Sequence, residues 1–113
     1  MQALGRQILV EFYQCNESIL KNCKLIENYM VEACKLAQAT VVTSTFHEFS
    51  PFGVSGVVVI AESHVAIHTW PEYNYAAVDI FTCGETIDPW KVFKYLEEQF
   101  ESAQSSMMEM KRG

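Results

Sequence analysis

Hydrophobic and polar positions alternate over residues 7–14, QILVEFYQ, with Ile8, Val10 and Phe12 on one side and Gln7, Leu9, Glu11 and Tyr13 on the other. A two-residue period predicts a strand. After Asn16, a capping residue, the period lengthens. Ile19, Cys23, Ile26, Met30, Ala33 and Ala37 recur three or four residues apart and predict one amphipathic helix. From Thr40 the texture turns β-branched and aromatic in TVVTSTFHEF, a second strand. SPFGVSG carries turn residues, and VVVIAE, HVAIHTW and YAAVDIFTC supply three more strands, the last two separated by PEYN. Asp88-Pro89 starts a second helix, with Trp90, Phe93, Leu96 and Phe100 as its inward stripe. The order β-α-β-β-β-β-α predicts an α+β fold, a mostly antiparallel β-sheet with two helices packed on one face. The polar, methionine-containing end, within ESAQSSMMEMKRG, is expected to form a flexible tail over about residues 104–113.

Two helices cover only one sheet face, yet several strands are apolar on both. In YAAVDIFTC, Ala76, Val78 and Ile80 lie on one side and Tyr75, Ala77 and Phe81 on the other. The second face needs a cover. A twofold homodimer with sheets stacked face to face, an α/β/β/α sandwich, supplies one.

Composition adds limits. A chain of 113 residues, 50% hydrophobic, is a single domain able to bury a core. No apolar run reaches the roughly 20 residues that span a bilayer, and MQALGRQILVEF lacks the long apolar centre of a signal peptide. The expectation is a cytoplasmic protein whose Cys15, Cys23, Cys34 and Cys83 are free thiols. A formal net charge of −6 argues against nucleic acid and is compatible with a cationic small molecule.

The chemistry concentrates in VIAESHVAIHTW, residues 59–70, where Glu62-Ser63-His64 interrupts a β-type run without any residue of special turn propensity. His64 and His68 have a zinc-like spacing only on a helix. On a strand, residues four apart lie roughly 13 Å apart, too far for one ion, so no metal is expected. A Ser-His hydrolase with Asp79 as orienting group lacks the G-x-S-x-G elbow, and His64 faces away from its neighbour Ser63. Taken singly, Ser63, His68 and Cys83 read as ordinary turn, sheet and core residues.

Their combination is specific. VSGVVVIAESHVAIHTWPEYNYAAVDIFTCGETIDPWK (54–91) closely resembles the bacterial and archaeal S-adenosylmethionine decarboxylases, small pyruvoyl-dependent enzymes of polyamine synthesis, and LGRQILVEFYQC and ATVVTSTFHEFSPFGVSG resemble the same family in the same order. The resemblance covers about residues 4–100 and implies a proenzyme that cuts itself between Glu62 and Ser63, giving chains 1–62 and 63–113. Ser63 would attack the Glu62 carbonyl, and elimination and hydrolysis of the ester would leave a pyruvoyl group at position 63. His68 matches the proton acceptor in processing, Ser55 a serine that assists it, and Cys83 the proton donor in catalysis. The pyruvoyl ketone would form a Schiff base with the substrate amine and take up the electrons left by CO2.

The resemblance also implies the substrate, S-adenosylmethionine, and its contacts. Phe49 and Trp70 match aromatic positions suited to the adenine or the sulfonium, and Glu72 matches an acceptor for the ribose hydroxyls. Glu11, on the less apolar side of the first strand, is a further acidic candidate. Ornithine or arginine as substrate would leave Phe49, Trp70 and Glu72 without a purpose, and an unprocessed regulatory homologue would not need Ser63, His68 and Cys83 together. Ala61, Asn74 and Gln7 stand where the family often has Ser, Gly and His. Asn74 tolerates left-handed backbone angles and so substitutes conservatively for Gly.

Overall fold

The alternation over residues 7–14 becomes strand β1, Gly5–Tyr13, whose Ile8, Val10 and Phe12 are buried. In the computed structural model, which describes residues 3–113, it lies next to one edge of the sheet. Asn16 caps a single helical turn, α1 (Glu17–Leu20), by accepting the Ser18 and Ile19 N–H groups. The predicted single helix is therefore two. Asn22 accepts the Leu25 N–H at 3.1 Å and starts α2, Cys23–Leu36, because an Asn side chain rewards a new cap over continuation. Strands β2 (Val41–Glu48), β3 (Val54–Ile60), β4 (Ser63–Trp70) and β5 (Tyr75–Cys83) follow, then α3 (Pro89–Gln99), capped by Asp88, and a final strand β6 (Gln104–Arg112).

The sheet order is β2-β3-β4-β5-β1-β6, antiparallel throughout. Helix α2 packs on β2, β3 and α3, and α3 packs on β1. The α+β architecture is as expected. The flexible tail is not: residues 104–112 pair with β1 along their length, from Tyr13 opposite Gln104 to Gly5 opposite Arg112. Such a strand has no hydrophobic alternation to announce it, since it stays exposed at the sheet edge. It is held by the backbone ladder and by side-chain ties, Arg6 to Glu109 at 2.8 Å and Ser105 to Glu97 at 2.9 Å.

Phe12 joins the two layers. It is fully buried, stacked on Phe93 with centroids 5.6 Å apart and edge-on to Phe100 at 5.6 Å. Truncating it leaves a cavity between β1 and α3. Phe12→Ala should cost about 3–5 kcal/mol, read from urea unfolding in a Ser63→Ala background that keeps one covalent species.

The face away from the helices carries Leu9 and Val59, 40% and 37% exposed, and Trp70 at 40%, with Val57, Ala66, Ala77 and Phe81 half-buried among them. All of the candidate chemistry on β1, β3, β4 and β5 lies on this open face or at its ends.

Candidate active site

Strands β3 and β4 are joined by Ala61 and Glu62 alone, with Ile60 opposite Ser63. Two-residue hairpins favour Gly or Asn because the strand twist asks for positive φ inside the turn. Here both turn residues avoid positive φ, and Ser63 takes φ +148°. For a residue with a Cβ such a conformation costs about 1–3 kcal/mol. The turn is pinned on both sides. The Ala61 N–H donates to the Thr40 carbonyl at 2.8 Å, and the Glu62 carboxylate accepts the Thr40 N–H and hydroxyl at 3.1 and 3.2 Å. The Glu62 carbonyl accepts the Cys83 N–H at 2.9 Å. That donor polarises the carbonyl carbon of the Glu62–Ser63 bond and is placed to stabilise an oxyanion formed there.

His68 lies five residues further along β4, about 16 Å from Ser63. It stands opposite Ser55, whose Oγ is 2.6 Å from His68 Nδ1. Phe49, Trp70 and Glu72 join Ser55 and His68 around a cleft of about 310 Å³. Phe52 lines the same cleft. Sequence reading missed it, because SPFGVSG registered only as a turn. Beneath the cleft, buried Thr69 accepts the Val54 N–H at 2.9 Å and donates to the Leu20 carbonyl at 3.0 Å, fixing β3, β4 and α1 to one another. Asn74, which closes the turn after Glu72, adopts φ 53° and ψ 36°, the left-handed angles its side chain tolerates.

The candidates thus fall into two groups. Glu62, Ser63 and Cys83 gather at one end of β4, and Ser55, His68, Phe49, Trp70 and Glu72 at the other. Glu11 joins neither. Its carboxylate accepts the Tyr75 hydroxyl, and Tyr75 is the middle ring of a stack with Tyr13 at 5.5 Å and Trp70 at 5.4 Å. Burial, reinforced by the Glu11 carboxylate, pushes the Tyr75 pKa up and keeps the hydroxyl a donor. Of the four free thiols, Cys83 is exposed, whereas burial raises Cys15 and Cys34 to about 11 and 12. Beside Cys83 a second depression of about 580 Å³ opens between Arg6, Thr82, Gly84, Glu85 and Lys111. Among the described residues, no three His, Cys, Asp or Glu are grouped to hold a metal ion, and no helix is long and apolar enough to cross a membrane.

Helices on one face of an antiparallel sheet, with a strained hairpin at one end and a Ser-His pair on the open face, define an α+β protein with a candidate active site away from its helices. The family model described as S-adenosylmethionine decarboxylase matches residues 6–113, and the chain belongs to that family. It is 54% identical over 113 residues to the S-adenosylmethionine decarboxylase proenzyme of Thermotoga petrophila, covering all of this chain and 87% of that protein. The Acidithiobacillus ferrooxidans proenzyme is 56% identical, again over the whole chain and 85% of the relative. Among solved structures, the adenosylmethionine decarboxylase of Aquifex aeolicus superposes with TM-score 0.94 at 32% identity, covering 100% of this chain and 93% of that one. The Trypanosoma brucei AdoMetDC-delta26 monomer shares the fold, with TM-score 0.67 at 13% identity, over 90% of this chain and 44% of that chain.

Proposed function

We propose that this chain is a proenzyme that cuts itself between Glu62 and Ser63 and, through the pyruvoyl group so made, decarboxylates S-adenosylmethionine. The observation that carries the reading is the Glu62 carbonyl held on the Cys83 N–H in a turn where Ser63 bears φ +148°. Ser63 Oγ attacks the Glu62 carbonyl carbon, the C–N bond breaks and an ester replaces the amide, releasing the strain at φ. Loss of the Ser63 α-proton and of the Glu62 carboxylate then gives dehydroalanine, and water replaces its nitrogen as ammonia to leave the ketone. His68, oriented by Ser55, takes the proton. The ketone supplies the electron sink that loss of CO2 from an α-amino acid requires. Phe49 and Trp70 offer aromatic faces to the adenine and the sulfonium, a cation–π contact worth about 0.5–2 kcal/mol. Glu72 accepts from the ribose, Glu11 sets a carboxylate beside the aromatic stack, and the exposed Cys83 thiol returns a proton to the substrate carbon.

One chain places its two groups at opposite ends of β4, so a complete site needs both ends together. A second copy supplies this. A twofold axis lying between two stacked open faces and crossing their strands sets the Ser63 end of one protomer over the His68 end of the other. Val57, Ala66, Ala77 and Leu9 lie between the two groups and form the apolar centre of that interface. The product is an aminopropyl donor for polyamine synthesis, made in the cytoplasm, where the four thiols stay reduced.

On denaturing gels and by intact mass, the 12.9 kDa chain should resolve into chains 1–62 and 63–113. The formal charge should move from −6 to −7, since the cut exposes the Glu62 carboxylate and the ketone end brings no amine. S-Adenosylmethionine, and neither ornithine nor arginine, should release CO2. A chain that stays whole after long incubation would sink the self-cleavage reading.

A further inference from the structure

A string of polar contacts crosses four strands of the open face at the Ser63 end. Arg112 Nη1 on β6 donates to Gln7 Oε1 on β1 at 2.8 Å, and Gln7 Nε2 donates to Asp79 Oδ1 on β5 at 2.6 Å. Asp79 Oδ2 in turn lies 3.7 Å from His64 Nε2 on β4. The Phe81 ring closes the loop, with the Arg112 guanidinium 4.7 Å from its centroid and the His64 ring edge-on at 5.7 Å. Gly5 makes room for this, since a Cβ there would come within 2.7 Å of the Phe81 ring. The Gln7 amide has one permitted orientation. A guanidinium only donates and an ionised carboxylate only accepts, so the amide oxygen must face Arg112 and the nitrogen Asp79. Arg112 and Asp79 are therefore coupled without touching. Stability is a poor explanation for the string: His64 and Asp79 are 37% and 34% exposed, and such pairs contribute little to folding.

His64 is bonded directly to Ser63, so whatever fixes its ring fixes the first residue after the cut. We propose that Arg112, Gln7 and Asp79 are positioning residues that hold His64, and through it the group made from Ser63, which makes the C-terminal strand a working part of the site. This rests on the self-cleavage reading. Arg112→Ala and Asp79→Ala should each be cleaved, keep their melting temperature, and lose roughly tenfold in kcat at unchanged KM, because both leave Phe49, Trp70 and Glu72, the residues that hold the substrate, unaltered. The double variant should be no worse than either single one, and Arg112→Ala should cost nothing further in a Gln7→Met background. Additive losses, a change confined to KM, or a fall in kcat matched by a fall in melting temperature would overturn the proposal. One readout does not depend on cleavage. In the Ser63→Ala chain, NOE cross-peaks between the His64 and Phe81 rings should be present with Arg112 and absent from Arg112→Ala. Their persistence in Arg112→Ala would overturn the relay even if the wild type cuts itself. An uncut wild type, with the cross-peaks still dependent on Arg112, would count against self-cleavage alone.

Discussion

Mixing two inert chains should restore cleavage. On the proposed mechanism a Ser63→Ala chain lacks the nucleophile and a His68→Ala chain lacks the base, whose loss slows proton transfer by about 10²–10⁴-fold, so each expressed alone should remain whole on the time scale of wild-type processing. Coexpressed in equal amounts and paired at random, about half of each chain enters mixed dimers, each with one complete site and one doubly defective site. Only the His68→Ala chain should then be cut, because its own Ser63 meets the partner's intact His68. The separation of about 16 Å along β4 is the reason for expecting this: no side-chain rotation brings His68 to Ser63 within one chain. Intact-mass spectrometry distinguishes the two chains and reads the result directly. If the mixture stays whole while wild type is cut, the site lies within one chain and the shared-site proposal fails, leaving the decarboxylase reading standing.

This division of the site is the part that sequence reading did not reach. Strand parity put His64, Ala66, His68 and Trp70 on one face, and the register agrees, with these residues opposite Phe81, Asp79, Ala77 and Tyr75. Parity says which face a residue occupies and nothing about how far along it two residues lie. The resemblance assigned Ser63 and His68 to one reaction, yet an extended chain separates five residues at over 3 Å each. The cleft was more legible: Phe49, Ser55, His68, Trp70 and Glu72 come from the segments on which the family resemblance rests, and they meet around one cavity. β6 was illegible for a physical reason. An edge strand with both faces exposed needs no hydrophobic period, so SSMMEMKR carries nothing that sets it apart from a solvated tail. The split between α1 and α2 was hidden the same way, since the apolar stripe continues across it and only Asn22 marks the break.

The Ser63 backbone connects fold to chemistry. Strain of about 1–3 kcal/mol at Ser63 is held by the β3–β4 ladder, the Thr40 contacts and the Cys83 N–H. A cut there would relieve the strain without unfolding the sheet, because the pairing of β3 and β4 from Ser55–His68 to Val59–His64 does not depend on the covalent link between them.

In the proposed mechanism Cys83 serves the two reactions with different atoms, and Cys83→Ala should separate them. Cleavage would use the backbone N–H, which donates to the Glu62 carbonyl at 2.9 Å and survives the substitution. Decarboxylation would use the thiol, which does not. The variant should therefore cut itself at close to the wild-type rate and then turn over S-adenosylmethionine about 10²–10⁴-fold more slowly, the usual contribution of a positioned general acid. KM should hold, because Phe49, Trp70 and Glu72 are untouched, so the loss belongs to an interaction made only in the transition state. Stability should change little: Cys83 is exposed, unlike Cys15 and Cys34, and its side chain leaves no core cavity when truncated. Time-resolved intact mass gives the cutting rate and CO2 release gives the turnover, both on the same preparation. A Cys83→Ala chain that remains whole would place the thiol in the cleavage step. One that cuts and decarboxylates normally would assign the proton on the substrate carbon to another donor, of which His64 is the nearest ring to the scissile bond in sequence and on the same face as Cys83.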